Sequence, residues 1–467
     1  MSSKPDETTW VGDLARDARD EPAFASLLLF VLTLPIHRLA LFHVGASPVL
    51  AADLALALTW LAALVSVARR KIRPRPDLLL YAGLAFLAAQ ALSLVVAHKL
   101  GLVPLVKLAG FAQMVLLPWL MRHVVTTRAR FDGIARVWMV AAVGATAVGV
   151  LGFVTFYVAP PIGAKLMCGW GALAPQKVPR LCAPFNNPNM FLNYLTLSCA
   201  LGIVAWSKAL RLSNHARAAL PWLALVSFGF VSMFTLSAGV GGFGLTGAIA
   251  IIAWRERHYS PNRAFKWALG GFAGLLTVFA MGTMLATLQP HGYGDIPIGS
   301  HDIKVWDGTR PSVWSGNRWR ESPITGIGYG ELASIVTDAR CFIVTEELAN
   351  AHGPVPTDPK LMDGHSVPLN TLAQSGFVGL AALLLLIVEL VRGVFWRRAE
   401  LPDPDDRLRR TAVVAMLSGG FVFHGIFGSF EEARHIWVAF GLGAAIAAHA
   451  STWARRTVDE GVAPNDR

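Results

Sequence analysis

Runs of about twenty apolar residues, the length that carries an α-helix across the hydrocarbon core of a bilayer, recur along almost the whole of this chain. Twelve can be marked, at 24–44, 49–68, 78–97, 100–121, 137–158, 190–206, 220–236, 240–254, 267–288, 367–391, 412–427 and 436–450. The seventh and eighth share one charge-free stretch divided only by Ser237-Ala238-Gly239 and a glycine pair, so a single re-entrant hairpin is the alternative there. Only 15% of the 467 residues are charged, against about 25% in soluble domains, which is too few to clothe several globular domains. A hydrophobic content of 54% also excludes disorder. The net charge of +11 would suggest nucleic acid in a soluble protein. On a chain of this hydropathy it points instead to an anionic membrane surface, and membrane lipids rather than nucleic acid are the expected surroundings.

With the N-terminus inside, 28 Lys and Arg fall on the cytoplasmic side and 12 on the other, while Lys107 stays within a span. Six of those twelve sit in one long segment, which translocates regardless of its charge. Both termini are therefore expected in the cytoplasm. No cleavable signal is evident, because the first 23 residues mix acids and bases and the first apolar run is too long for a signal-peptide core. The layout expected is a cytoplasmic segment at 1–23, nine spans with short loops over 24–288, a large external loop at 289–365, three spans over 366–452 and a cytoplasmic tail at 453–467. Two segments then face outward, 159–187 and 289–365, and chemistry is expected there. They hold Cys168, Cys182 and Cys341, in a compartment that permits disulfides if it is a bacterial periplasm. A bridge between Cys168 and Cys182 would close a short loop, although sequence leaves the pairing open. Cys199 falls within a span.

The long segment contains Arg310, Trp314 and Arg318 at helical spacing on one face, followed by Pro323-Ile-Thr-Gly326-Ile-Gly328-Tyr-Gly330, which must end that helix. Basic and aromatic residues in this pattern suit an interfacial helix. They equally suit an anion clamp, because a guanidinium keeps its proton and offers a planar fork to a diphosphate. Downstream, Asp363-Gly-His365-Ser366 runs directly into the tenth span, with Ser366 as its cap and Pro368 in its first turn. The positive end of that helix dipole lowers the pKa of His365 and favours the neutral imidazole that a general base requires. A histidine merely hydrogen-bonded in a loop is the plainer reading. The short segment ends in Arg180-Leu-Cys182-Ala-Pro-Phe185-Asn186-Asn187-Pro188-Asn189, where Arg180 precedes a helix N-terminus of the kind that favours phosphate. An ordinary cap with a solvated arginine accounts for the same residues.

No phosphate-binding glycine loop, dinucleotide fingerprint, HExxH or CxxC is present, and the external acids Asp295, Asp302, Asp307 and Asp363 lack tight Asp-x-Asp pairing, so neither metal nor cofactor is expected. Within the spans, Asp53, Lys107, Glu389 and His424 are too scattered for an ion path, and structural pairing is expected of each.

Taken together, these residues resemble the O-antigen ligase and polymerase superfamily of polytopic bacterial glycosyltransferases. The Arg310–Gly330 stretch is similar to that family's Arg-x-x-x-Trp helix followed by Pro-x-x-Gly-x-Gly. His365-Ser-x-x-Leu369-x-x-Leu372-x-x-x-Gly376-x-x-Gly379 is similar to its His-Asn-x-x-Leu-x-x-Leu-x-x-x-Gly-x-x-Gly, with Ser366 in place of Asn, and Arg180–Asn189 resembles its Arg followed by Asn-Pro-Asn. Where many members carry Ser-Arg-Gly between the seventh and eighth spans, Ala238 stands here, which leaves Arg38 and Arg318 to supply the missing charge. The resemblance implies an all-α polytopic, GT-C-like fold of about twelve transmembrane helices with one large, partly helical periplasmic loop. It also implies a donor glycan linked to undecaprenyl diphosphate, and lipid A-core as the acceptor. His365 would be the catalytic base, Arg180 and Arg310 the diphosphate ligands, and Arg38, Arg318, Trp314, Asn189 and Asp363 secondary site residues. A polymerase or a protein O-oligosaccharyltransferase would share the donor. A transporter or flippase fits less well, since transporters gather polar groups near the bilayer midplane rather than outside.

Overall fold

The computed structural model describes residues 9–44, 47–168, 179–207, 209–211, 215–235, 237, 239–258, 293–298, 301–306, 322–329, 367–395, 401, 403–423 and 433–459. It is mostly helical, and seven helical segments are long and apolar enough to cross a membrane: Ala51–Ala68, Leu78–Val96, Leu102–Val124, Arg128–Val158, Pro188–Ala205, Asn370–Val394 and Arg434–Trp453. Their outward faces are apolar as well: on the first of them Leu58, Leu61 and Leu64 are 49%, 59% and 64% exposed, a surface suited to acyl chains rather than water.

The order begins with α1 (Thr9–Asp20) and α2 (Pro22–Thr33), then a two-stranded hairpin of β1 (Ala40–Val44) and β2 (Ser47–Leu50). This departs from the expected first span at 24–44. Pro35 has no N–H to continue the helix and its ring collides with the carbonyl four residues back, so α2 stops after twelve residues. Next come α3 (Ala51–Ala68), α4 (Leu78–Val96), α5 (Leu102–Val115), α6 (Leu117–Val124), α7 (Arg128–Val158), α8 (Pro160–Leu166) and α9 (Pro188–Ala205). They start where the chain offers caps: Asp77 accepts from the Leu80 N–H at 3.0 Å, Thr127 from Arg130 at 3.2 Å, and Asn187 stands before Pro188 at the first turn of α9. The seventh and eighth apolar runs become α10 (His215–Phe234) and α11 (Val240–His258), two separate helices. The ninth, 267–288, lies outside the described residues.

A second hairpin, β3 (Tyr293–Ile298) with β4 (His301–Trp306), falls in the long loop, which sequence marked only as partly helical. The remaining elements are α12 (Val367–Phe395), α13 (Pro404–Ala415) running into a π-helical stretch (Met416–Phe423), and α14 (Arg434–Asp459).

Polar contacts sort the helix ends into two groups. At one end, Arg128 binds Asp406 at 2.6 Å and Asp403 at 2.9 Å, Arg409 binds Asp132 at 2.7 Å and Asp406 at 2.9 Å, and Arg122 binds Asp77. This is the end where sequence gathers the cytoplasmic cations. The opposite end holds the N-termini of α3, α9, α12 and α14 and the C-termini of α4, α7 and α10. There Arg434 binds Asp53 at 2.6 Å, and the Leu181 N–H reaches the Phe234 carbonyl at 2.8 Å.

Candidate functional site at the disulfide end of the bundle

Cys168 and Cys182 are bridged, with Cα atoms 5.8 Å apart. In the loop they close, the described residues beside the bridge pair with one another: Met167 pairs with Leu181 as an isolated bridge, and the Cys168 N–H donates to the Arg180 carbonyl at 3.0 Å. Arg38, a candidate phosphate ligand by sequence, has its guanidinium committed to this loop. Its Nε donates to the Phe185 carbonyl at 3.0 Å, Nη2 to the Met167 carbonyl at 3.1 Å and to Cys182 Sγ at 2.8 Å, and Nη1 to the Lys165 carbonyl. Arg38 therefore pins the loop.

What the loop delivers is Arg180. Its Nε donates to the Thr235 carbonyl at 3.1 Å, just past the end of α10 and two residues from Ser237. The guanidinium thus arrives at the turn between α10 and α11, whose Ala238 lies outside the described residues. Burial lowers the Arg180 pKa from its ordinary value to about 10, which still leaves it charged at neutral pH. Asn189 sits half-buried in the first turn of α9, its N–H capped by the Asn187 side chain at 2.8 Å.

Beside the loop lies a polar group that sequence reading missed. His37 stacks on Phe185 with ring centroids 4.6 Å apart, and His435 meets Asn193 Oδ1 at 2.7 Å. Asn193 in turn donates to the Gly420 carbonyl at 2.6 Å. The adjacent pair Arg434-His435 opening the last span was the available hint. Of the intramembrane ionisable residues expected to be paired, Asp53 has Arg434 and Glu389 has Arg392 at 3.0 Å. Lys107 corrects that expectation, for it is exposed and has no polar partner among the described residues. His424 lies outside them.

The second feature of this end joins two glycine motifs. Residues 322–329 lie against a break in α12 at Gly376, whose φ of 64° is left-handed. The Phe377 N–H donates to the Pro323 carbonyl at 2.9 Å and that of Val378 to Ile324 at 3.2 Å. In return the N–H groups of Ile327 and Gly328 reach the carbonyls of Ala373 at 3.0 Å and Gln374 at 3.1 Å. Four backbone groups of α12 at the break are thus paired with the inserted segment. Ser93 on α4 adds a hydrogen bond to the Gln374 carbonyl. The fit depends on two absent side chains: a Cβ on Gly326, with φ 75°, would overlap the Gln374 carbonyl, and one on Gly376 would overlap that of Ile324. Tyr329 closes the segment, 4% exposed and stacked on Phe111 of α5 at 5.5 Å.

Arg310, Trp314, Arg318, Asp363 and His365 lie outside the described residues. The chain that carries the first three enters this interlock at Ser322, and His365 precedes the start of α12 by two residues. No protein-family model matches the chain, and no curated protein matches it.

Proposed function

We propose that this chain is an O-antigen ligase, a twelve-span protein of the bacterial inner membrane with both termini in the cytoplasm and its site on the periplasmic face. It would transfer a polysaccharide from undecaprenyl diphosphate to a sugar hydroxyl of lipid A-core. The observation that carries the reading is the interlock between Pro323–Tyr329 and the broken start of α12. It joins the two stretches whose residues resemble the family motifs, and it does so at the end of the bundle that also presents Arg180.

The chemistry asked of these residues is a single displacement. His365 takes the proton of the acceptor hydroxyl as its oxygen bonds to the anomeric carbon. The bond from that carbon to the diphosphate oxygen breaks, and undecaprenyl diphosphate leaves with the electron pair. Arg310 and Arg180 stabilise the growing charge on the leaving group, by donors already in position before the reaction. One displacement inverts the anomeric centre, and the chain offers no nucleophile suited to a covalent intermediate. Neither nucleotide nor metal enters this scheme. Purified protein in detergent should therefore transfer glycan from lipid-linked donor to lipid A-core with EDTA present. Activity that EDTA abolishes and Mg²⁺ restores would overturn the metal-free scheme, and transfer to a protein acceptor in place of lipid A-core would overturn the ligase assignment.

A further inference from the structure

The two sulfurs of the Cys168–Cys182 bridge stand in unequal surroundings. Cys182 is wholly buried, at 0% exposed, whereas Cys168 is only half-buried. A thiolate that opens a disulfide attacks one sulfur in line with the bond and expels the other, so access decides which becomes the leaving group. Here the accessible sulfur is Cys168, and Cys182 is the one expelled. The Arg38 guanidinium already faces that second sulfur: Nη2 lies 2.8 Å from Cys182 Sγ and 3.9 Å from Cys168 Sγ. Its other donors go to the neutral carbonyls of Phe185, Met167 and Lys165. A cation in contact with the leaving sulfur stabilises the negative charge that grows on it, and with it the reduced form of the pair.

The same bridge fastens the segment that carries Arg180. Around it the chain leaving α8 pairs with the chain approaching α9, through the Ala183 N–H to the Leu166 carbonyl at 3.2 Å as well as the pairing of Met167 with Leu181. Arg180 is two residues from Cys182. Between them, the Leu181 N–H reaches the Phe234 carbonyl at the end of α10 at 2.8 Å, next to the Thr235 carbonyl that accepts from Arg180. Opening the bridge therefore takes the covalent constraint off the residue placed at the turn between α10 and α11.

We propose that the Cys168–Cys182 bridge is a thiol-exchange site, opened at Cys168 by an external dithiol while Cys182 leaves as a thiolate held by Arg38. The reductant's thiolate bonds to Cys168 Sγ, the bond between the two cysteines breaks, and its electron pair departs on Cys182. The second thiol of the reductant then attacks its own sulfur in the mixed disulfide and frees Cys168, so the reductant ends as a disulfide and two electrons have passed to the protein. Of the reductant's two protons, one is returned to Cys168 and one goes to solvent. That this opening slows glycan transfer, by loosening Arg180, rests on the function proposed above.

The test uses the purified full-length chain in detergent. Brief treatment with glutathione, followed by denaturation in N-ethylmaleimide, should place glutathione on Cys168 and the maleimide on Cys182 in peptide mass spectra. Glutathione on Cys182, or shared equally between the two, overturns the proposal, as does a bridge that opens only after denaturation. Dithiothreitol should open the bridge about tenfold more slowly in Arg38→Gln than in wild type, and a rate equal to or above wild type takes Arg38 out of the step. The mixed-disulfide map needs no variant, so it decides the direction of attack whether or not Arg38→Gln folds. Protein opened with dithiothreitol and blocked with N-ethylmaleimide should transfer glycan at least about tenfold more slowly than bridged protein exposed to the same maleimide. Undiminished transfer overturns the link to Arg180. Exchange is read without any transfer reaction, so wild type that exchanges as described but transfers no glycan would sink the ligase reading and leave the exchange site standing.

Discussion

Arg180 owes its usefulness to the kind of cation it is. Burial lowers the pKa of its guanidinium to about 10 and still leaves it protonated, whereas an ammonium starts lower and offers no planar fork. Arg180→Lys should consequently impair transfer almost as far as Arg180→Ala. In vitro transfer rates of both variants measure this, and a wild-type rate in Arg180→Ala would remove Arg180 from the leaving-group site. Arg310→Lys should fail for a different reason, the loss of a bidentate fork, and normal lipopolysaccharide laddering in that strain would exclude Arg310. In the proposed scheme the arginines hold the diphosphate independently, so His365→Ala and His365→Gln should each lose transfer by about a hundred to ten thousand fold while still holding donor. If His365→Ala keeps more than about a tenth of the rate, the base is elsewhere, and an inactive Asp363→Asn would name its successor.

At the level of elements, the interlock is a short turn-rich segment serving a broken helix. Gly326→Ala and Gly376→Ala each add a Cβ both to a left-handed residue and to a space already filled by the facing carbonyl, so each should lower the Tm in detergent and abolish transfer. Gly110→Ala is the control: its Cβ meets nothing, and replacing a helical glycine should hold or raise the Tm. Sequence displayed both glycine motifs as separate lines of residues. Their joining was not legible there, because the pairing of 323–328 with 373–378 is non-local and no periodicity within either segment records it. For the same reason Arg38 read as a candidate phosphate ligand, when its donors are taken by carbonyls and a sulfur more than a hundred residues away. The cap at Asn187 was legible because it is local, acting on the N–H of Asn189 two residues on; Asp77 and Thr127 act as locally, though sequence reading did not single them out.

Over the whole molecule, hydropathy located the apolar helices but not the interruptions within them. Pro35 ends α2 early, Pro118 follows a change of direction between α5 and α6, and Gly376 breaks α12, each through backbone geometry to which a hydropathy average is blind. The sorting of charge was legible, since the cations assigned to one side by sequence meet their carboxylates at one end of the bundle. Asp406 is the centre of that end. Its carboxylate is almost wholly enclosed, and burial raises its pKa even against Arg128 and Arg409. Asp406→Ala would leave both guanidiniums without that carboxylate and should destabilise the protein by about 3 to 5 kcal/mol, seen as a fall in Tm.

The segment docked at Gly376 also bears on how the protein is made. Residues 323–328 leave the ribosome about fifty residues ahead of the stretch of α12 they complete. Until they dock, the backbone bonds around Gly376 that they satisfy stay open, and lipid cannot satisfy them. Seating of α12 therefore waits on a segment made before it, and a ribosome stalled between the two would leave that segment without its partner helix.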